Sequence, residues 1–473
     1  MTDSPSRPSV LGPSLTFGFG TAVAMWCAWW VTHHPTITAP ASVTGPVLLL
    51  ILLVAMTLAG RSAAPAPGWK VGLGAGVIAS LLNLLVVLSF VSRPPKDGYL
   101  PAPGFEGLNS DSALAALGFV GLGAVVGLLG GVIGSRLPRR EPAVRAQWIG
   151  CFAWVACAAV VPLLVVGGAV TSTASGMAVP GWPDTYGANM FLYPIKFMSN
   201  PRVFLEHTHR LLGSLVGLTT LTLMVWALLA PVSRAVKAWT IAASVLVCIQ
   251  GVLGGLRVNN SSVFLAFIHG VSAQLFFAAL VCIAMFLSPM YERASRATID
   301  PSDRRRKAFC MGLQHATILQ LILGAAYRHF GQAGGSMHAL WTHAAFSLIV
   351  VVLAIVAGSM LWNRGPRQEP LGIFLRRVGG AMIGVVAVQF LLGWAAFVAV
   401  LGAGPRGVAP TAEQLGAAKP IPPLSAVIAT LHQANGALLL ALATIGVVIM
   451  RRVWKSAVAS RDTAPQTPDP AAP

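Results

Sequence analysis

The sequence predicts an all-α polytopic membrane protein of about twelve transmembrane helices, the last eight arranged as two pseudo-symmetric four-helix bundles. Three observations predict it. Of 473 residues, 55% are apolar and only 10% charged, with mean hydropathy +0.73, where soluble domains carry about 25% charge. Apolar stretches of the roughly 20 residues that cross a bilayer as a helix recur along the whole chain. A set of histidine-bearing stretches occurs twice in its later part. This composition excludes a soluble enzyme, a disordered chain and a disulfide scaffold.

The twelve stretches lie near 15–33, 45–60, 71–92, 113–134, 148–170, 204–230, 238–256, 264–288, 309–326, 337–362, 376–400 and 424–450. The second is the shortest. The first carries one early basic residue, Arg7, and nothing that reads as a cleavage site, so it is expected to be an anchor. Placing both termini in the cytoplasm puts Arg136, Arg139, Arg140 and Arg145 inside, with Arg304–Lys307 and the Arg451–Lys455 group. Every inner connection follows that bias. The net charge of +18 is then a consequence of topology. No basic stripe interleaved with aromatics occurs, so the expected partner is the lipid bilayer and not nucleic acid. The tail 457–473 is rich in Pro, Ala and Thr and is expected to be disordered. The six cysteines form no C-x-x-C and read as inert core residues.

The basic loop 136–145 divides the chain. Residues 1–135 form a four-helix membrane extension whose only histidines are His33 and His34. Residues 147–308 and 309–452 form two four-helix units. The first reads GGAVTSTASG (167–176), EHTHRLLGSLVGL (206–218), IQGVLGGLRV (249–258) and FIHGVSAQLFFA (267–278). The second reads LQLILGAAYRH (319–329), WTHAAFSLIV (341–350), VQFLLGWAAF (388–397) and LHQANGALLLA (431–441). Each has a Gln-x-x-x-Gly third helix, Gln250/Gly254 and Gln389/Gly393, and one histidine near the start of its second and fourth helices.

Those histidines are His209 and His269, then His343 and His432. All four enter from the outer side at similar depth, His343 and His432 slightly deeper. Imidazoles on facing helices of a bundle can clamp an iron from both faces of a flat macrocycle. A single histidine near a helix end is more often snorkelling or hydrogen-bonded, but a polar side chain inside the membrane is a functional candidate by default. Glu206 is the one acid placed in the apolar zone of these helices. It lies three residues before His209, on the same helix face. It can donate or accept a proton, or pair with Arg210 or Arg202. The second unit has Trp341 and Thr342 before His343 and no acid, so the two units are expected to differ in role. His207 points to another face, and His315 lies near the inner end of its helix and reads as structural. Arg210, Arg257, Arg328 and His329 are outer-side groups suited to haem propionates or to lipid headgroups. The outer loop 171–194 has the Gly, Pro, Trp and Tyr content of an ordered lid or re-entrant turn, or equally of an interfacial aromatic loop.

These residues resemble the haem A synthase family over about 147–452, through GGAVTSTASGM with VPGWP, Glu206-x-x-His209-Arg210, His269, QLILGAAYRH, His343 and His432. The resemblance implies a pseudo-symmetric eight-helix core with two haem sites. It implies a haem b cofactor on His343 and His432, and haem O as substrate at His209 and His269. It implies that Glu206 is essential for oxidising a haem O methyl to a formyl by successive hydroxylations, for cytochrome oxidase assembly. Haem O synthase and oxidase assembly proteins are the implied partners. The outer loop lacks the cysteine pair of some members, His343 is not followed by Arg, and residues 1–135 lie outside the resemblance. Two other readings stand beside the enzyme: a b-type cytochrome that only passes electrons, and a haem transporter or assembly chaperone. Glu206 favours the enzyme, since electron transfer alone needs no buried acid.

Overall fold

A computed structural model describes residues 9–90, 111–138, 148–298, 300–331, 337–365, 368–403, 409–419 and 421–462. Twelve helices among these residues are long and apolar enough to cross a membrane. The chain is a multi-pass membrane protein.

The extension comprises α1 (Leu11–His33), α2 (Ala41–Ser62), α3 (Gly68–Val87) and α4 (Ser112–Arg136). The second helix is the stretch read from sequence as shortest, and it reaches 22 residues. Lipid tails are as apolar as the side chains, so these helices associate by close backbone approach instead of the hydrophobic effect. Gly72 and Gly76 of α3 lie against Gly127 and Gly123 of α4, and Gly60 of α2 against Gly131. A methyl group at any of these positions would strike backbone.

The first unit contains α5 (Trp148–Ser172), α6 (Pro201–Leu229), α7 (Arg234–Asn259) and α8 (Val263–Phe286). A short α9 (Pro289–Ser295) leads to the second, with α10 (Asp303–Ala326), α11 (His338–Trp362), α12 (Pro370–Ala403) and α13 (Pro423–Asp462). A π-helical turn, Tyr327–Gly331, extends α10. Polar caps fix where the helices of the first unit begin: the side chains of Asn200, Ser233 and Ser262 accept from Arg202 N, Val236 N and Leu265 N. α13 packs on both α5 and α8, joining the units. α1 joins the extension to α5, with Phe19 edge-on to Phe152 and Trp29, Trp30 and His34 around Phe204 of α6.

Three expectations are corrected. α13 runs on to Asp462, so residues 457–462 are helical; 463–473 lie outside the described residues. Cys248 is exposed on the apolar surface, unlike the buried Cys157 and Cys310. The depth order changes for one pair and holds for the other: His343 lies five residues into α11 against eight for His209 in α6, while His432 lies nine residues into α13 against six for His269 in α8.

The connection from α9 to α10 is tied by a buried ionic cluster. Asp303 is fully buried and receives Arg306 at 3.0 Å and Arg364 at 3.1 Å. Arg364 also donates to Thr298 O, so this end of α11 is fastened to the start of α10.

Candidate functional site

The four paired histidines meet two by two. The ring centroids of His209 (α6) and His269 (α8) are 6.3 Å apart with planes at 87°. Those of His343 (α11) and His432 (α13) are 6.2 Å apart at 80°. Each ring faces a glycine on a neighbouring helix, where a side chain would displace it. A methyl built on Gly167 would come within 2.9 Å of His209 Cε1, and on Gly324 within 2.7 Å of His343 Cε1. On Gly254 and Gly393 it would stand 3.3 Å from His269 and His432. The glycine of each Gln-x-x-x-Gly segment is therefore the clearance for an imidazole. Gly167 and Gly324 do the same on the first helix of each unit, a role that spacing alone did not single out.

The support behind the rings is also repeated, with differences. His343 Nδ1 lies 3.1 Å from Gln320 O, one turn before Gly324. The equivalent carbonyls, of Leu163 and Gln250, lie beside His209 and His269 but outside hydrogen-bond geometry. The Gln250 amide donates to Ser272 Oγ at 2.6 Å. Gln389 accepts from Asn435 Nδ2 at 2.8 Å and places its own amide nitrogen 3.2 and 3.3 Å from the two ring nitrogens of His432. Ser272 and Asn435 each follow a paired histidine by three residues, which puts both on the histidine's helix face. That spacing was readable in the sequence and was missed.

Glu206 is 4% exposed. Its Oε2 accepts from Val179 N at 2.9 Å and its Oε1 from Arg210 at 3.0 Å. Arg210 donates further to Gly181 O, Asp184 O and Val179 O. Its two terminal nitrogens are thus committed to the loop and to Glu206. Arg202 donates to Thr173 O and Lys419 O, and Arg257 to Gly176 O. The loop 173–187 is therefore ordered, a lid held by three arginines, with a small hairpin of Asp184–Thr185 and Ala188–Asn189. Trp182 lies over Gly255 of α7, where no side chain would fit. His207 points away from His209 and meets Thr185 Oγ1 at 3.2 Å beneath the hairpin. The Tyr186 hydroxyl donates to Ala178 O at 2.6 Å. Burial and the nearby Glu206 carboxylate push that phenol up to about 12.

Arg257 lies within electrostatic range of Glu206, His209 and His269. His329 reaches across from the second unit: its Nε2 would stand 3.9 Å from a methyl on Gly270, next to His269, and Phe330 packs on Phe267. The Arg328 side chain has a buried Nη2 with no hydrogen-bond partner. His315 is exposed, bonded to Met311 O, and remote from both pairs in its helix. Among the described residues, no group of three or more His, Cys, Asp or Glu gathers to hold a bare metal ion.

Residues 150–444 match the model of a family described as cytochrome oxidase assembly protein. The chain belongs to this family. Among relatives of this family member, the haem A synthase of Exiguobacterium sp. strain AT1b is 29% identical over 175 residues, 36% of this chain and 54% of that protein. The haem A synthase of Exiguobacterium sibiricum is 29% identical over 175 residues, 36% of this chain and 55% of that protein. The chain spans about half the length of these curated relatives. No solved structure matches it. The match begins at residue 150, so it covers the two histidine-bearing units and leaves the extension outside.

Proposed function

We propose that this protein is a haem A synthase, a membrane oxidoreductase that oxidises the methyl group of haem O to a formyl by successive hydroxylations for cytochrome oxidase assembly. The observation that carries this reading is the duplicated pair of facing imidazoles, with a buried acid beside only one of them. With each ligating nitrogen ~2.0–2.1 Å from a shared metal, two imidazoles would have ring centroids roughly 6 Å apart or less. The two pairs stand at 6.3 and 6.2 Å. The glycine opposite each ring suits the same assignment.

In this reading residues 309–452 are the cofactor unit, with His343 and His432 holding haem b, which supplies one-electron redox chemistry when bound. The Gln320 carbonyl orients His343 through Nδ1, and the Gln320 amide, 3.5 Å from His343 Nε2, would give way to the metal there. Residues 147–308 are the substrate unit, with His209 and His269 on haem O. Oxidising a methyl group releases protons. Glu206, one turn from His209, takes or returns one, or stabilises positive charge at the reacting carbon. The Val179 amide and Arg210 hold its carboxylate in place, and the lid keeps water away. Arg328 and His329, with the part of Arg257 not bonded to Gly176 O, take the propionates, while Arg202 and Arg210 hold the lid. Within the extension, α1 braces α5, and α1 and α3 touch α6.

The protein is assigned to the cytoplasmic membrane with both termini cytoplasmic, receiving haem O from its synthase and delivering product to oxidase assembly proteins. Coexpression with a haem O producer, followed by pigment extraction and mass analysis, tests the reading. Haem A or its alcohol precursor is expected. Unchanged haem O in the presence of folded, haem-loaded protein would refute it.

A further inference from the structure

We propose that the apolar groove between α6 and α7 holds the isoprenoid tail of haem O; this rests on the reading that His209 and His269 hold that substrate. The groove has a volume of about 480 Å³ and opens to the lipid. Leu221, Met224, Ser244, Cys248, Val252 and Leu253 line it. Three features point to this occupant.

The first is position along α7. Leu253 adjoins Gly254, the residue against His269. From there to Ser244 the groove follows α7 for nine residues, ~13 Å at 1.5 Å per residue, toward the opposite end of the helix. A farnesyl chain, three isoprene units long, spans a comparable length.

The second is direction. The isoprenoid chain of haem O leaves the macrocycle from the edge opposite its two propionates. Arg257 and His329, suited to the propionates, sit at the lid end of the bundle. The tail then leaves toward the other end, which is where the groove runs.

The third is asymmetry between the units. The offset relating His209 to His343 places Met224 at the position of Gly358. The offset relating Gln250 to Gln389 places Thr240 and Ser244 at Gly379 and Ile383. In the second unit Gly358 lies against the Gly379 backbone and the Ile383 side chain, with a methyl on Gly358 reaching 2.8 Å from each. Those helices are closed at this level. In the first unit Met224 and Ser244 stand there instead, and the space between them is the groove. The unit assigned the substrate with the tail is the open one, and the unit assigned haem b, which has no tail, is closed.

The test titrates purified full-length protein in lipid nanodiscs, its second unit already filled with haem b, with haem O and with haem b. Absorbance reports binding at the first unit. Lipid tails are as apolar as the groove, so the tail gains packing and orientation and no transfer free energy. A preference of about tenfold for haem O is expected. Cys248→Trp, or Ser244→Ile to supply the side chain of the closed unit, should abolish that preference and leave haem b affinity unchanged. Alkylating Cys248 in the folded wild type with a bulky maleimide should do the same, with Cys248→Ser as the insensitive control. This arm decides the matter if the tryptophan variant does not fold. Equal binding of both haems by the wild type, as when lipid acyl chains fill the groove, or a preference that survives all three blocks, overturns the proposal and leaves the substrate-site reading standing. Failure of either haem to bind the first unit overturns both.

Discussion

Gly324→Ala offers a direct measure of how closely the second histidine pair is fitted. The added methyl would lie 2.7 Å from His343 Cε1 and 3.1 Å from Nδ1. Carbon atoms pack at about 3.5–4.0 Å, so the ring must retreat by roughly 1 Å. Metal–ligand distances tolerate only about ±0.2 Å, so the shift cannot be absorbed with the bond intact. Retreat also strains the 3.1 Å contact between Nδ1 and Gln320 O. Loss of such an outer partner alone typically costs about 10–100-fold in metal affinity. At least tenfold weaker haem retention is therefore expected for Gly324→Ala. Gly393→Ala, whose methyl would stand 3.3 Å from His432 Cε1, should be milder. Gly213→Ala on α6, with nothing within 4 Å, should change nothing. The assay is the haem-to-protein ratio and the low-spin visible band of purified protein. Equal haem retention in Gly324→Ala and Gly213→Ala would refute the clearance argument.

Glu206→Gln should keep the low-spin haem of the second unit and abolish formyl production, read as haem A in extracted pigment; an unchanged yield would remove Glu206 from the reaction. Asp303→Ala leaves the buried Arg364 without its carboxylate and Arg306 with Asp300 alone, and breaking a buried pair costs about 3–5 kcal/mol; a clear drop in thermal unfolding temperature is expected, whereas Glu292→Ala at the exposed Arg296 pair should be nearly silent. Gly255→Leu should expel Trp182 from α7 and expose the 173–187 lid to protease while the second unit keeps its haem. The Tyr186 phenol, raised from 10.0 to about 12, binds its proton more tightly in the folded lid than in the unfolded chain. Its contribution is therefore complete below pH 10 and lost as pH rises toward 12, and Tyr186→Phe should flatten lid protection across that window.

Much of this protein was legible in order along the chain. A membrane helix must satisfy its backbone internally and present apolar side chains to lipid, so twelve spans can be read from apolar length alone. The pairing of His209 with His269 and of His343 with His432 was legible as well, because a repeated unit repeats its functional positions. Other features were hidden. Nothing local marks Gly167 or Gly324 among 49 glycines; their meaning exists only once an imidazole from another helix lies against them. Arg210 reads as a partner for Glu206, a propionate or a headgroup, yet the fold also brings three loop carbonyls to it. His329 belongs to the second unit in sequence and to the neighbourhood of His269 in space.

The sequence by itself determined the solvent, the number of crossings, the duplication and the residue types able to hold an iron, because each depends on composition and local spacing. Only the tertiary structure decided which end of Glu206 is held by Arg210, which helices close and which splay, and where a side chain has room. Those depend on contacts between residues far apart in the chain, and inside a bilayer such contacts follow from the fit of backbone against backbone, which no local pattern encodes.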